Sequence, residues 1–378
     1  RCGVISGPWQ MGKIDQGVLV LWLAQHYFKG SLSYIGYNGY NGSSNGMIIA
    51  AGGRVTDVNG YIGYSNNVSN SYVLVTGSNS LWSNSGDLFV GFSGSGNSLV
   101  ISDGGTVMNR YGYIGYSATA SNNSVVVTGS NSLWSNSGNL YVGYQGSGNS
   151  LVISSGGQVM NNGGTIGYGD GVRSSNNSVV VTGSNSLWSN SGNLTVGNNG
   201  SGSLTVANGG SVWASNIIIA NISNSTGTVN IGSLGGNDTA GSLITPTITF
   251  GSGAGKLNFN QANQFTLTSS ITGRGTVQQL GTGTTILSGN NSYTGTTLIS
   301  AGTLRTASTN ALGTSAVTLT NSGVLSLATN LTISSLIWSG GSSSVAISGL
   351  SNGVYLKITG GLSLTSMSGG SGTGTFDL

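Results

Sequence analysis

Glutamate is absent from this 378-residue chain, and charge of either sign is scarce: ten Lys and Arg and seven Asp make up 4% of the residues. The basic residues are scattered, and between Ser174 and Gly255 the only charge is Asp238. Nucleic-acid binding needs clustered cations that displace counterions, so that class is excluded. There is one cysteine, Cys2, and one histidine, His26. An intrachain disulfide and a Cys/His zinc site are excluded with them. The lack of Glu and the few Lys remove the residues that sustain exposed helix faces. No apolar run is long enough to cross a bilayer: Gly17–Ala24 has only eight residues. Low net charge also separates the chain from ordinary disordered sequences, which pair low hydrophobicity with high net charge.

What is present is glycine, with 68 residues, together with Ser, Asn, Thr and short runs of Val, Ile and Leu. These favour turns and strands respectively. The apolar runs recur at Met47–Ile49, Val73–Val75, Leu99–Ile101, Val125–Val127, Leu151–Ile153, Val179–Val181 and Leu204–Val206. Each starts about 26 residues after the one before, and a fixed period of this size marks a stacked, quasi-one-dimensional fold.

Each period carries three strand signals. The second is a single apolar column, Val55, Leu81, Val107, Leu133, Val159, Leu187 and Val212. The third is an apolar-Gly-aromatic triplet, at Ile35-Gly36-Tyr37, Ile62-Gly63-Tyr64, Val90-Gly91-Phe92, Ile114-Gly115-Tyr116, Val142-Gly143-Tyr144 and Ile166-Gly167-Tyr168; Val196-Gly197-Asn198 loses the aromatic. Three strands per period, joined by Gly/Asn/Ser bends, predict an all-β, right-handed parallel β-helix (a β-solenoid) of about 26-residue coils. Equivalent residues then stack about 4.8 Å apart, so the Tyr positions form a ladder inside or along a corner. A second rhythm overlies the first: Leu81–Gly86 returns at Leu133–Gly138 and Leu187–Gly192, in every second period, so two coils alternate.

Directly after the second column come Trp82, Met108, Trp134, Met160, Trp188 and Trp213. If the column residues point inward, strand alternation turns these six outward, as an exposed apolar stripe and candidate contact surface. A bend that turns them into the core, or self-stacking of the ladder, is the structural alternative.

Three segments are expected: an irregular residues 1–30, a solenoid over 31–250 with the short repeat, and a continuation over 251–378 after Pro246 interrupts the rhythm. For 1–30, a signal-peptide remnant, a capping strand and a mis-read frame stay open. The chain reads as a piece of a longer protein.

The third segment carries its own pattern. It runs Gly283-Thr284-Thr285-Ile286-Leu287-Ser288-Gly289-Asn290-Asn291-Ser292-Tyr293-Thr294-Gly295, then Ala301-Gly302-Thr303-Leu304, then Asn310-Ala311-Leu312-Gly313. This resembles the autotransporter-associated β-strand repeat of bacterial passenger domains, over residues 275–320. One departure is the single Gly295 where the family usually has a Gly pair. The resemblance implies a right-handed β-helix exported to, and displayed at or released from, the surface of a Gram-negative-type cell, usually followed by a membrane β-barrel.

No catalytic, cofactor-binding or metal-binding residues emerge. A polysaccharide-cleaving β-helix needs converging carboxylates, whereas Asp87 aligns with Asn139 and Asn193, Asp57 with Asn109, and Asp103 with Ser155. Each reads as a solvated turn residue. Gly235-Gly236-Asn237-Asp238 is a single copy of a calcium-repeat-like string that works only in series. The expectation is a non-enzymatic adhesin or stalk, with glycans, cell surfaces or copies of itself as partners. An ice- or crystal-binding solenoid ranks lower, because Thr247–Thr249, Thr266–Thr268 and Thr318–Thr320 do not recur at coil spacing. A polysaccharide-degrading enzyme ranks lowest.

Overall fold

In a computed structural model the structure describes residues 18–22, 27–29, 32–35, 43–169, 173–339, 346–349 and 353–365. Every element among them is a β-strand. The strands wind into successive coils and pair in parallel with the coils above and below, which is a β-solenoid. Three sheets form the walls of the first part. The first has 15 strands, from Val18–Trp22 to Leu362–Thr365. The second has nine, ending at Ser242–Ile244, and the third has ten, ending at Ser270–Thr272.

Beyond Pro246 the coil changes but the stack does not break. The first sheet continues through Ala254–Phe259 and Thr276–Gln279 without a gap. The coil shortens: Ser98 pairs with Ser124, whereas Val277 pairs with Thr297. One turn thus falls from about 26 residues to about 20 residues, the lower end of solenoid repeat lengths. A fourth, five-stranded sheet starting at Gln264–Leu267 replaces the second and third.

The core is a set of inward columns. In the first sheet Leu99, Val125, Leu151 and Val179 stack above one another, as do Ile101, Val127, Ile153 and Val181. In the second sheet the inward column holds Val55, Val107, Val159 and Val212 as the sequence predicts, and in the intervening coils it is shifted by one residue. It is Val55, Trp82, Val107, Trp134, Val159, Trp188 and Val212, all fully buried. Leu81, Leu133 and Leu187 are half-buried instead. The cause is turn length. Three residues, Asp103–Gly105, separate Ser102 from Thr106, but four, Gly77–Ser80, separate Thr76 from Leu81. The extra residue is a serine whose hydroxyl accepts a backbone N–H from the neighbouring coil: Gly52 N to Ser80 Oγ, Gly104 N to Ser132 Oγ and Gly156 N to Ser186 Oγ, each 3.0 Å.

The two-coil alternation follows from volume. In the third sheet the facing column runs Gly60, Leu88, Gly112, Leu140, Gly164, Leu194. Coils with an inward Trp carry Leu there, and the Val55, Val107 and Val159 coils carry Gly; the Val212 coil, where the alternation ends, carries Ile217. Each indole lies over a glycine of the adjacent coil, where a Cβ would come within 2.5 Å of Trp82, 2.8 Å of Trp134 and 2.7 Å of Trp188. Large over small fills the lumen at close-packed density. Each indole N–H donates to a buried acceptor: Trp82 to Asp57 Oδ2 at 3.0 Å, and Trp134 to Asn109 and Trp188 to Asn161 at 2.8 Å.

The glycine of the apolar-Gly-aromatic triplet turns the chain into an asparagine ladder. Gly63, Gly91, Gly115 and Gly143 have φ between 72° and 77°. A Cβ on them would overlap Asn97, Asn123, Asn149 and Asn177. Those side chains bond in series, Asn97 Nδ2 to Asn123 Oδ1 at 3.0 Å, Asn123 to Asn149 at 3.1 Å and Asn149 to Asn177 at 3.2 Å.

Candidate functional site

The six-residue Trp/Met stripe expected from sequence is divided by the structure. Trp82, Trp134 and Trp188 point into the lumen and are fully buried; Met108, Met160 and Trp213 point outward and are 44%, 39% and 51% exposed. They occupy adjacent strand positions, not one column: Val107 pairs with Trp134, while Met108 pairs with Ser135. The true outward column of the second sheet is Thr56, Ser83, Met108, Ser135, Met160, Ser189, Trp213 and Ile244. The geometry of an unbroken outward stripe is therefore corrected by the turn-length shift above.

Trp213 lines a cleft at the end of this face. The second sheet ends one pairing later, at Ser242–Ile244. Pro246 has no N–H to extend it. The next strand on that side, Gln264–Leu267, opens the fourth sheet. The gap is a cleft of about 680 Å³ lined by Trp213, Ile244, Pro246, Phe265 and ten Ser, Thr, Asn, Ala and Leu residues, with no charged side chain. The cleft floor is braced: Asn190 Nδ2 donates to the Trp213 carbonyl at 3.1 Å, and Ala214 N to the Ile244 carbonyl at 3.2 Å. Unlike the three buried tryptophans, Trp213 has no acceptor for its indole N–H among the described residues.

A second surface is aromatic. The outward positions of the third sheet, Tyr34, Tyr61, Phe89, Tyr113 and Tyr141, stack with centroids 4.9–5.2 Å apart and planes within 11°. Beside them Tyr64, Phe92, Tyr116, Tyr144 and Tyr168 stack at 4.6–5.1 Å. Between the columns the rings meet edge to face at 79° to 89°. The corner position of the second column is legible in the triplets; the first column is not, because its residues fall one strand position before the apolar residue. Ring faces inside the stack cover one another, so the ladder presents edges and phenol oxygens and stiffens the corner. Burial raises the phenol pKa of Tyr61, Tyr113 and Tyr144 above the ordinary tyrosine value.

The carboxylates are dispersed. Asp57 is buried on Trp82, against the expectation of a solvated turn residue. Asp87 pairs with Arg110 at 3.1 Å, Asp103 accepts from Thr76 at 3.0 Å, and Asp238 bonds Ser233. No group of three His, Cys, Asp or Glu able to hold a metal occurs among the described residues. Cys2 and His26 lie outside the described residues. The Thr-x-Thr pairs sit on different sheets: Thr247 and Thr249 on the third, Thr266 on the fourth, Thr318 and Thr320 on the first.

In the shortened coils the repeat motif has a structural meaning. Tyr293 is fully buried, its hydroxyl 2.7 Å from Thr297 Oγ1, which lies 2.8 Å from Ser315 Oγ. Burial pushes this phenol up to about 12. Asn291 Nδ2 donates to the Ala311 carbonyl at 2.6 Å, and its Oδ1 accepts from Ile271 N at 2.8 Å. The Asn, Tyr and Ser/Thr positions of the motif thus tie three successive coils together. Residues 277–305 match the family model of the passenger-associated transport repeat. No curated protein matches the sequence. The matched repeat and the parallel β-solenoid together fit an autotransporter passenger repeat protein, a type secreted or held at the cell surface.

Proposed function

We propose that this chain is the non-catalytic, contact-making rod of a passenger displayed by a Gram-negative-type cell, serving as adhesin or stalk. The observation that carries the reading is the first sheet, which runs through 15 strands and across Pro246. At about 4.8 Å per strand the stack reaches about 65–70 Å. Such a scaffold holds its faces away from the cell that bears it. Its Ser/Asn/Thr surface, with only 4% charged residues in the chain, suits contacts that salt does not screen. Partners of this reading are glycans, neighbouring or host cell surfaces, and further copies of the chain.

The test is display of the chain on a non-adherent bacterium. The expected result is adherence to glycan-bearing cells above that of the same bacterium displaying a solenoid of equal length and unrelated surface. Adherence equal to that control would remove the adhesin half and leave the stalk. Cleavage of a polysaccharide by the purified chain would overturn the non-catalytic assignment.

A further inference from the structure

The geometry points to a specific site: we propose that the cleft around Trp213 binds a neutral saccharide, with a pyranose ring seated on the exposed indole. The proposal deepens the contact role proposed above and rests on it only for its biological use.

Four observations converge. First, the register singles out Trp213. Its column carries Ser83, Ser135 and Ser189, or Met108 and Met160, in earlier coils, so coil packing does not require an indole there. Trp82, Trp134 and Trp188 fill the lumen with their N–H groups satisfied, whereas Trp213 is half-exposed and its indole N–H has no acceptor among the described residues. Second, the indole stands beside a cleft of about 680 Å³, a volume in the range of small-molecule sites. Third, the lining combines the apolar faces of Trp213, Ile244, Pro246 and Phe265 with Ser and Thr hydroxyls. A sugar presents the same duality: C–H groups on one ring face and hydroxyls around the rim. Fourth, no charged residue lines the cleft. A uronic or sialic acid would lose water around its carboxylate without gaining a cation, so neutral sugars are selected.

The test uses the purified 378-residue chain and defined oligosaccharides: maltohexaose, cellohexaose and laminarihexaose as neutral probes, hexagalacturonate as the anionic one. Binding is read by calorimetry and by quenching of the red edge of tryptophan emission. The expected result is binding of at least one neutral hexasaccharide, unchanged as NaCl rises from about 0.05 to about 0.5 M. Trp213→Ser should weaken it by at least about tenfold. Because sister coils carry Ser at this register, the variant should fold with an unchanged melting temperature, and Trp213→Phe should retain part of the affinity. No binding to any neutral probe, preference for the galacturonate or for an apolar peptide, or equal binding by Trp213→Ser would each overturn the proposal. Adherence of displaying cells without oligosaccharide binding would sink the cleft and leave the passenger reading standing. Trp213-dependent binding without adherence would do the reverse.

Discussion

At the residue scale, the buried polar column of the second sheet explains one irregularity and predicts its repair. Asn109 Nδ2 donates to Asn136 Oδ1, and Asn161 to Asn190, both at 2.6 Å. The first pair is Asp57 and Asn84, and there neither Oδ1 nor Nδ2 of the buried Asn84 has a hydrogen-bond partner. Asp57→Asn supplies the missing donor and keeps an acceptor for Trp82. It should raise stability by about 1 kcal/mol, seen as a higher urea midpoint; a lowered midpoint would contradict this. Tyr293 makes a pH prediction. Its folded pKa of about 12 lies above the ordinary unfolded value of about 10. The folded state therefore holds the proton longer, and its stabilising effect is complete below pH of about 10. Stability then falls as pH rises toward about 12, by roughly 2–3 kcal/mol from this group. Alkaline unfolding followed by circular dichroism should show this loss, reduced in Tyr293→Phe. That variant also loses the hydroxyl contact to Thr297 and should be about 1 kcal/mol less stable at pH 7.

At the element scale, the coil is the unit of stability but the pair of coils is the unit of packing. Deleting Ser98–Asn149 removes two coils and joins Asn97 to Ser150, which holds the same register as Ser98. Trp82 and Leu88 then meet Val159 and Gly164, as they now meet Val107 and Gly112. The shortened protein should keep its cooperative thermal transition. Deleting only Ser98–Asn123 places the Trp134/Leu140 coil directly on the Trp82/Leu88 coil, so that Trp134 meets Leu88 where it had Gly112. Overpacking of this kind costs at least about 1–3 kcal/mol, and the transition should drop and broaden although fewer residues were removed. Equal transitions would contradict the packing account. Removing an indole directly, Trp134→Ala, should cost about 3–5 kcal/mol, read from denaturant melts.

The same elements show how much was legible in the sequence. The parallel solenoid, the coil length and the alternation follow from Met47–Ile49, Val73–Val75 and their successors, because identical strands must stack in register. For Trp82, Trp134 and Trp188 the sequence leaves two readings open, an outward stripe and a turn into the core, and the structure shows the second. Leu81 and Trp82 are both apolar, so alternation alone could not say which faces the lumen; the deciding fact is that the turn Gly77–Ser80 is one residue longer than Asp103–Gly105. The cleft at Trp213 was illegible for a different reason. It arises where the second sheet stops beside a newly started fourth sheet, and neither event has a local signature beyond Pro246.

At the scale of the whole molecule, one uninterrupted stack runs from the longer coils into the shorter ones. Thr76, Thr182 and Thr320 all occupy the last, half-buried position of their first-sheet strands. The first sheet places ten inter-strand steps between Thr76 and Thr320, and six between Thr182 and Thr320. The most direct measurement is electron–electron distance spectroscopy on spin-label pairs at these positions, with Cys2 replaced by Ser. A continuous stack predicts narrow distributions near about 48 Å for the first pair and near about 29 Å for the second, at about 4.8 Å per step. Distances that fail to scale with the number of coils, or a broad distribution for both pairs spanning Pro246, would contradict a single rod and separate the passenger into two jointed bodies.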